Sequence, residues 1–187
     1  MSEAEGAAAR RDLVDRLAVH DVEYLAGGSE WDALEPPYRR PDDVPLEALL
    51  ADLARAPESR LRSAVVALLL RHPEYAVVAE RVAAGLADAD PAQRLLEASI
   101  LAAAALQREW SFSLRLYLPS MTLIAADRLA QTLGLPSPDE EYGRPCLAAA
   151  AGLLRAGARS PYDPEAEWEG IVHWLLAQLR CEALYGA

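Results

Sequence analysis

A short segment of this chain occurs in two similar copies that lie 34 residues apart. Residues 57–61 read Pro-Glu-Ser-Arg-Leu and residues 91–95 read Pro-Ala-Gln-Arg-Leu, and Ala64 then corresponds to Ala98. Proline ends a preceding helix and suits the first turn of the next one. A period of this length is typical of proteins built from stacked helical hairpins. We therefore predict that one helical hairpin pattern, used twice, forms the centre of the chain.

Apolar residues recur at helical spacing on both sides of the two prolines. Before Pro57, leucines occupy positions i, i+3, i+4 and i+7 of one helix face. The spacing predicts helices over residues 46–56, 58–71, 73–87 and 91–110, of which the second is covered on more than one side and the last is central. His72 is expected to be a turn or capping residue, since it precedes Pro73. One dry interior should hold Leu49, Leu53, Leu61, Leu68, Leu95 and Leu101.

The first of these hairpins resembles a repeat unit of the HEAT family. The pattern Leu46-x-x-Leu49-Leu50-x-Asp52-Leu53, a proline turn and then the apolar run 61–69 match its two helices, with Leu61-Arg62 in the place of the usual apolar-Arg pair. In the second unit Leu96 replaces the arginine. The resemblance covers roughly a third of the chain. It implies an all-α helical-hairpin stack, a short right-handed superhelix, with an extended surface for binding.

The remaining segments complete a single all-helical domain over residues 1–187, with about eight helices in total. A first helix is predicted over residues 7–26. A proline-rich strap over 27–45 precedes the repeat-like core at 46–110, and residues 111–187 form C-terminal helices that cap the stack. Pro119 should kink or divide a helix over the apolar segment 112–133. The final helix begins at Asp163-Pro164, where its acidic residues suit the positive end of a helix.

His20 lies in the apolar stripe of the first predicted helix, three residues before Glu23. That spacing allows a metal ligand pair, but no second pair lies near it. We favour a buried or half-buried histidine that is hydrogen-bonded to a neighbour. Cys146 and Cys181 are too few for a disulfide framework, and both are interpreted as reduced core thiols.

The strap carries the one compact basic and aromatic cluster of the chain. The candidate surface residues there are Trp31, Tyr38, Arg39 and Arg40. They could contact an acidic or phosphorylated ligand, but we favour a structural strap whose aromatic residues cover an exposed end of the stack. Trp174 projects from the opposite side of the last helix's apolar stripe, which is formed by Trp168, Ile171, Val172, Leu175, Leu176 and Leu179. It either packs within the chain, which we favour, or is exposed for a partner.

Charge and composition narrow the class of partner. The formal net charge is −11, which disfavours generic binding to nucleic acid or to an anionic membrane and favours a basic protein partner. All basic residues are arginine and asparagine is absent, which is compatible with a GC-rich genome and a thermophilic host. The acidic N-terminus does not read as a signal peptide, and no apolar run is long enough to span a membrane. A cytoplasmic bacterial or archaeal protein is expected.

Catalytic and cofactor-binding patterns are missing from the sequence. The three histidines and two cysteines form no nucleophile signature, no metal-ligand spacing recurs, and no glycine-rich phosphate loop occurs. We therefore expect a noncatalytic interaction module without a cofactor, which binds another protein or itself. One alternative is an enzyme or small-ligand binder with a pocket between the strap and the helices that bear His20 and Trp110. Another is a nucleic-acid binder of the HEAT-like glycosylase kind, which needs an arginine-lined face.

Three further segments carry a second resemblance. Leu106-Gln107-Arg108-Glu109-Trp110, Leu118-Pro119 and Leu133-Gly134-Leu135-Pro136 together resemble a prokaryotic family of short helical proteins, some of which are associated with neighbouring small nucleotidyltransferases. The resemblance implies an antitoxin-like protein that is the partner of an enzyme. It assigns no role to any single residue.

Overall fold

Nine α-helices and two 3₁₀ turns make up the regular structure of the described part of the chain, a computed structural model that covers residues 3–22, 45–88, 90–155 and 163–185. No strand occurs within those ranges, which confirms the all-α class. The helices are α1 (Glu3–Ala18), α2 (Leu46–Arg55), α3 (Ser59–Arg71), α4 (Ala76–Ala84), α5 (Pro91–Glu109), α6 (Ser111–Tyr117), α7 (Asp127–Leu133), α8 (Arg144–Arg155) and α9 (Pro164–Tyr185). The 3₁₀ turns are Pro73–Tyr75 and Glu140–Gly143.

Helix α5 lies at the centre of the fold, as the sequence predicts. It contacts α2, α3, α4, α6, α7, α8 and α9 and is buried over most of its length. The four consecutive alanines at 102–105 are essentially inaccessible to solvent. Because these side chains are small, the backbones of neighbouring elements can approach α5 closely, and α8 packs along it most extensively.

The two copies of the repeated segment occupy equivalent places in two helical hairpins. Residues 57–61 lead into α3 after α2, and residues 91–95 begin α5 after α4; α2 also contacts α4, and α3 contacts α5. Ala64 and Ala98 are both fully buried. All six leucines expected in one interior belong to a single hydrophobic core, which confirms that expectation. The HEAT-like identity and the right-handed superhelix remain predictions.

Local capping explains where several helices begin. The Asp90 carboxylate accepts a hydrogen bond of 2.8 Å from the backbone N–H of Ala92, with Pro91 at the first helical position of α5. The Asp163 carboxylate accepts one from the N–H of Glu165 at the start of α9. His72 ends α3 and precedes the 3₁₀ turn, which confirms its predicted turn role.

The first helix is shorter than predicted. It ends at Ala18 rather than near residue 26, so His20 lies in a turn and not on a helical stripe. The reason is tertiary. The His72 side chain donates to the His20 carbonyl at 2.8 Å, the Gln178 amide donates to the Asp21 carbonyl, and Asp21 adopts a left-handed conformation with φ 56°. Those carbonyls are therefore taken by side chains of other helices.

The segment 112–133 is divided at Pro119, as predicted, but its middle is not helical. Residues 118–126 are irregular and join α6 to α7. Two side chains of α5 supply the hydrogen bonds that a helix would have made: the Gln107 carbonyl oxygen accepts from the Ile124 N–H at 2.8 Å, and the Arg108 guanidinium donates to the Ile124 carbonyl at 2.8 Å. Ile124 itself is buried.

Three other expectations concern the two cysteines, the proline-rich strap and membrane-spanning helices. Cys146 is a buried free thiol, as predicted, whereas Cys181 is exposed on α9, so its assignment to the core is wrong. Most of the proline-rich strap, residues 27–44, lies outside the described residues. Among the helices of the described residues, none is both long enough and apolar enough to cross a bilayer.

Gly143 fixes the second 3₁₀ turn against the central helix. Its φ is +86°, and a Cβ at this position would lie 2.6 Å from the Ala105 carbonyl oxygen and 2.7 Å from the Ala105 Cα. Both atoms belong to the backbone of a buried helix, so neither can move aside. Only glycine allows the turn to rest directly on α5.

Replacing Gly143 by alanine is therefore expected to destabilise the protein by about 3 kcal/mol, the sum of backbone strain and overpacking. Gly152→Ala is the matched control, because Gly152 lies in α8 with nothing within 4 Å of an added Cβ. That variant should gain about 0.5–1 kcal/mol from the helix preference of alanine. Urea unfolding followed by circular dichroism measures both, and similar midpoints for the two variants would contradict the close approach described above.

Candidate functional site

The surface residues predicted from the sequence do not form a described site. Trp31, Tyr38, Arg39 and Arg40 lie outside the described residues. Trp174 lies on α9, is half-buried and packs against the hydrophobic core. We therefore searched the described residues for apolar side chains that the fold leaves in solvent.

The most exposed cluster of that kind surrounds a hollow of about 680 Å³ between α6 and the second 3₁₀ turn. Phe112 is 86% exposed and Tyr142 is 78% exposed, while Leu123 is partly exposed. We call this cavity the aromatic hollow; its lining residues are Arg108, Ser111, Phe112, Arg115, Leu123, Asp139, Glu141 and Tyr142. Leu116, one helical turn after Phe112, is also exposed and extends the apolar face of α6. Apolar surface gathered in this way marks an interaction site more often than scattered exposed residues do.

The turn that carries Tyr142 has an unusual backbone. Glu141 (φ 43°, ψ 46°), Tyr142 (φ 59°, ψ 25°) and Gly143 (φ 86°) are three consecutive residues in the left-handed region. For a residue with a Cβ this conformation costs roughly 1–2 kcal/mol. The turn keeps it because Gly143 rests on Ala105, and the result is that the Tyr142 ring is held out in solvent. Strain of this kind concentrates at functional sites.

The C-terminal end of α5 forms the support of the hollow. Arg108 is largely buried; its Nε donates to the Asp139 carboxylate at 2.7 Å, and its Nη1 donates to the Ile124 carbonyl. Gln107 holds the same irregular segment through the Ile124 N–H. These bonds tie both walls of the hollow to one helix. A ligand would therefore meet a surface that is already ordered.

Glu109, the last residue of α5, and Trp110, which follows it, join the end of this helix to α8 and α9. Arg144 forms ion pairs with Glu109 and, at 2.5 Å, with Glu169. Burial raises the pKa of the Glu109 carboxyl, although the neighbouring Arg144 acts in the opposite direction. The Trp110 ring meets the His173 ring edge to face, with centroids 4.9 Å apart. The segment 106–110 is thus a structural junction: Gln107 and Arg108 bind the irregular segment at Ile124, while Glu109 and Trp110 contact α8 and α9.

A second group of polar side chains surrounds His20. Its Nδ1 lies 3.1 Å from the Tyr75 hydroxyl, and the His72 ring stacks on the Tyr75 ring. His20 is half-buried and hydrogen-bonded, as predicted. Burial lowers the pKa of His20 below its ordinary value of 6.5; the nearby His72 lowers it further, and Asp21 opposes the shift. No group of three or more histidine, cysteine or carboxylate side chains in the described part of the chain is arranged to hold a metal ion.

Sequence reasoning missed Phe112 and Tyr142. An apolar residue at helical spacing is normally assigned to the core, and nothing in the order of residues shows that α6 turns this face outward. A weak signal was available in Glu140-Glu141-Tyr142-Gly143, because an aromatic residue among acids just before a glycine indicates an exposed turn. The pocket predicted between the strap and the helices bearing His20 and Trp110 depends on residues outside the described ranges and stays a prediction.

Comparison of the chain with protein-family models, with curated proteins and with solved structures finds no match.

Replacing Tyr142 by glycine should stabilise the protein by about 0.5–1 kcal/mol, because the left-handed strain is relieved and only the added freedom of the unfolded chain opposes the gain. Tyr142→Ala is the control, since it removes the same exposed ring but keeps a Cβ. It should leave the free energy of unfolding within about 0.5 kcal/mol of the wild type. Equal free energies for the two variants would show that the turn is not strained.

The depressed pKa of His20 predicts a pH-dependent stability. The unfolded chain binds the proton at higher pH than the folded one, so the free energy of unfolding should decrease as the pH falls through 6.5 towards the folded pKa, and the loss then levels off. His20→Gln should reduce this decrease. Urea unfolding of both proteins between about pH 5 and 8 measures it, and parallel curves would rule out a contribution from His20.

Proposed function

We propose that the chain is a noncatalytic helical interaction module that binds a segment of another protein in the aromatic hollow. The observation that carries the proposal is the pair of exposed aromatic rings, Phe112 and Tyr142, beside one cavity. Tyrosine and phenylalanine provide large contact area and are enriched in protein interfaces. The strained turn supports the proposal further, because it maintains an exposed ring at the expense of stability.

The preformed structure of the aromatic hollow favours a binding function over a catalytic one. Arg108, its most buried charged residue, is engaged by Asp139 and by the Ile124 carbonyl, so its charge serves the fold. Neither histidine nor cysteine occurs among the described residues that line the hollow. A preformed surface loses little conformational freedom when a partner binds, and such preorganisation favours affinity.

Charge indicates the chemistry of the partner. The turn beside Tyr142 exposes Asp139, Glu140 and Glu141, whereas the exposed cation on the α6 side is Arg115. The whole chain carries a formal charge of −11. Two copies would repel each other, whereas a basic partner would be attracted. The expected ligand is therefore a polypeptide segment with aromatic or aliphatic side chains next to arginine or lysine.

The second sequence resemblance adds a candidate for that partner. The segments 106–110 and 133–136 support the proposal that the partner is an enzyme of the small nucleotidyltransferase kind, with this chain in an antitoxin-like role. This part of the proposal rests on the resemblance alone. The aromatic hollow gives it a surface where binding would occur.

Peptides selected from a random display library on the purified protein test the proposal. Selected sequences should combine apolar and basic residues. Phe112→Ser should weaken the binding of a selected peptide about tenfold or more, since aromatic anchors contribute about 2 kcal/mol or more at interfaces. Fluorescence polarisation measures the dissociation constants.

Tyr185→Ser is the matched control, because it removes an aromatic ring of similar exposure, 83%, from the end of α9. It should leave peptide binding unchanged. Enrichment of acidic peptides, or equal effects of the two substitutions, would contradict the proposal. Sedimentation at increasing protein concentration tests whether the chain associates with itself. A dimer that Phe112→Ser dissociates would show that the hollow binds a second copy of the chain and not another protein.

A further inference from the structure

The two copies of the repeated proline segment line one cavity on a different part of the molecule. It has a volume of about 640 Å³ and lies between the end of α2, the start of α5 and the end of α8. Three arginines border it: Arg55, Arg62 and Arg94. We propose that this cavity, called here the arginine cavity, binds a small organic anion with a compact apolar body. The proposal does not depend on the aromatic hollow.

The three arginines of the cavity have N–H donors that are not used by other described residues. Arg62 is fixed by hydrogen bonds from its Nη1 to the carbonyls of Ala56, at 2.8 Å, and Pro57, at 2.7 Å. Carbonyl groups are neutral, and no carboxylate of the described residues forms an ion pair with Arg62. Among the described residues, Arg94 has no side-chain partner, and Arg55 has only a carboxylate oxygen of Asp90 at 4.0 Å. The guanidinium group is well suited to bind carboxylate or phosphate oxygens in pairs.

The counter-charge in the cavity is small. Of the described residues that line it, Asp90 alone is acidic, and one of its oxygens is already used to cap Ala92 at the start of α5. Three positive charges face one negative charge, in a chain where acidic residues outnumber basic ones by 29 to 18. An anion would compensate this local excess.

The rest of the lining is apolar, which determines what the anion carries. Leucines from two helices, Leu95, Leu153 and Leu154, stand beside alanines and the prolines at 57 and 91. Leu95 is buried, and the other two leucines are half-buried. An inorganic ion would leave most of this wall in contact with water, whereas an aliphatic body would cover it. The volume falls within the range of small-molecule sites, about 300–1,000 Å³.

Titration of the ¹⁵N-labelled full chain with hexanoate tests the proposal, with inorganic phosphate and hexanol as separate arms. Hexanoate should shift the amide resonances of residues 54–56, 90, 92–95 and 153–154 in a saturable manner; Pro57 and Pro91 have no amide hydrogen. Phosphate lacks the apolar body and hexanol lacks the charge, so each should bind at least tenfold more weakly. Equal binding of all three, shifts spread over the whole chain, or no saturable shift by hexanoate would overturn the proposal.

The repeated segment offers a matched pair of variants. Arg94 and Arg60 occupy corresponding positions in the two copies of the segment, and both are exposed. Each lies near the start of its helix, three residues after the proline of its copy. Only Arg94 lines the cavity. Arg94→Gln should weaken hexanoate binding about tenfold, whereas Arg60→Gln, with the same change in net charge, should not alter it. Equal weakening by both variants would show a general effect of charge and would overturn the site.

Discussion

The close approach of the second 3₁₀ turn to α5 is the contact on which the candidate site depends. Four alanines make one stretch of α5 narrow, and Gly143 lies against the last of them, Ala105, with no space for a side chain. A larger residue on either side would push the turn away from the helix. The two residues that precede this anchor, Glu141 and Tyr142, are both in the left-handed region. The exposed ring is therefore a consequence of packing in the core, and its orientation is set by a contact between two backbones.

Around the hollow, polar side chains at the end of α5 supply backbone hydrogen bonds that regular secondary structure would otherwise provide. Residues 118–126 form neither helix nor strand, so their backbone groups need other partners. Gln107 and Arg108 provide them at Ile124, and Arg108 also reaches Asp139 beside the strained turn. One helix end therefore organises both walls of the aromatic hollow. Gln107 and Arg108 are long polar residues within an alanine- and leucine-rich core. A shorter or apolar side chain could not reach the backbone N–H and carbonyl groups that require hydrogen-bond partners there.

The parts of the fold that depend on local pattern could be predicted, and the parts that depend on distant hydrogen bonds could not. The spacing of apolar residues and the positions of the prolines predict α2 to α5. The helix caps at Asp90 and Asp163 are predictable from the residues next to them. The early end of α1 was missed because His72 and Gln178, far along the chain, take the carbonyls of residues 20 and 21. The exposure of Phe112 was missed for a related reason. Periodicity shows that a helix has an apolar face, but the packing of other elements decides whether that face is covered.

The two surfaces of the chain lie at opposite ends of the same helix. The arginine cavity includes the first residues of α5, and the aromatic hollow includes Arg108 near its end. A helix of 19 residues is about 28 Å long, which is well beyond the screening length of about 8 Å at physiological salt. Charge in one site therefore has little direct effect on the other. A mechanical effect would require α5 to shift, and such a shift would disturb the packing of its buried alanines and its extensive contact with α8. The central helix thus positions both surfaces, and close packing opposes the motion that would couple them.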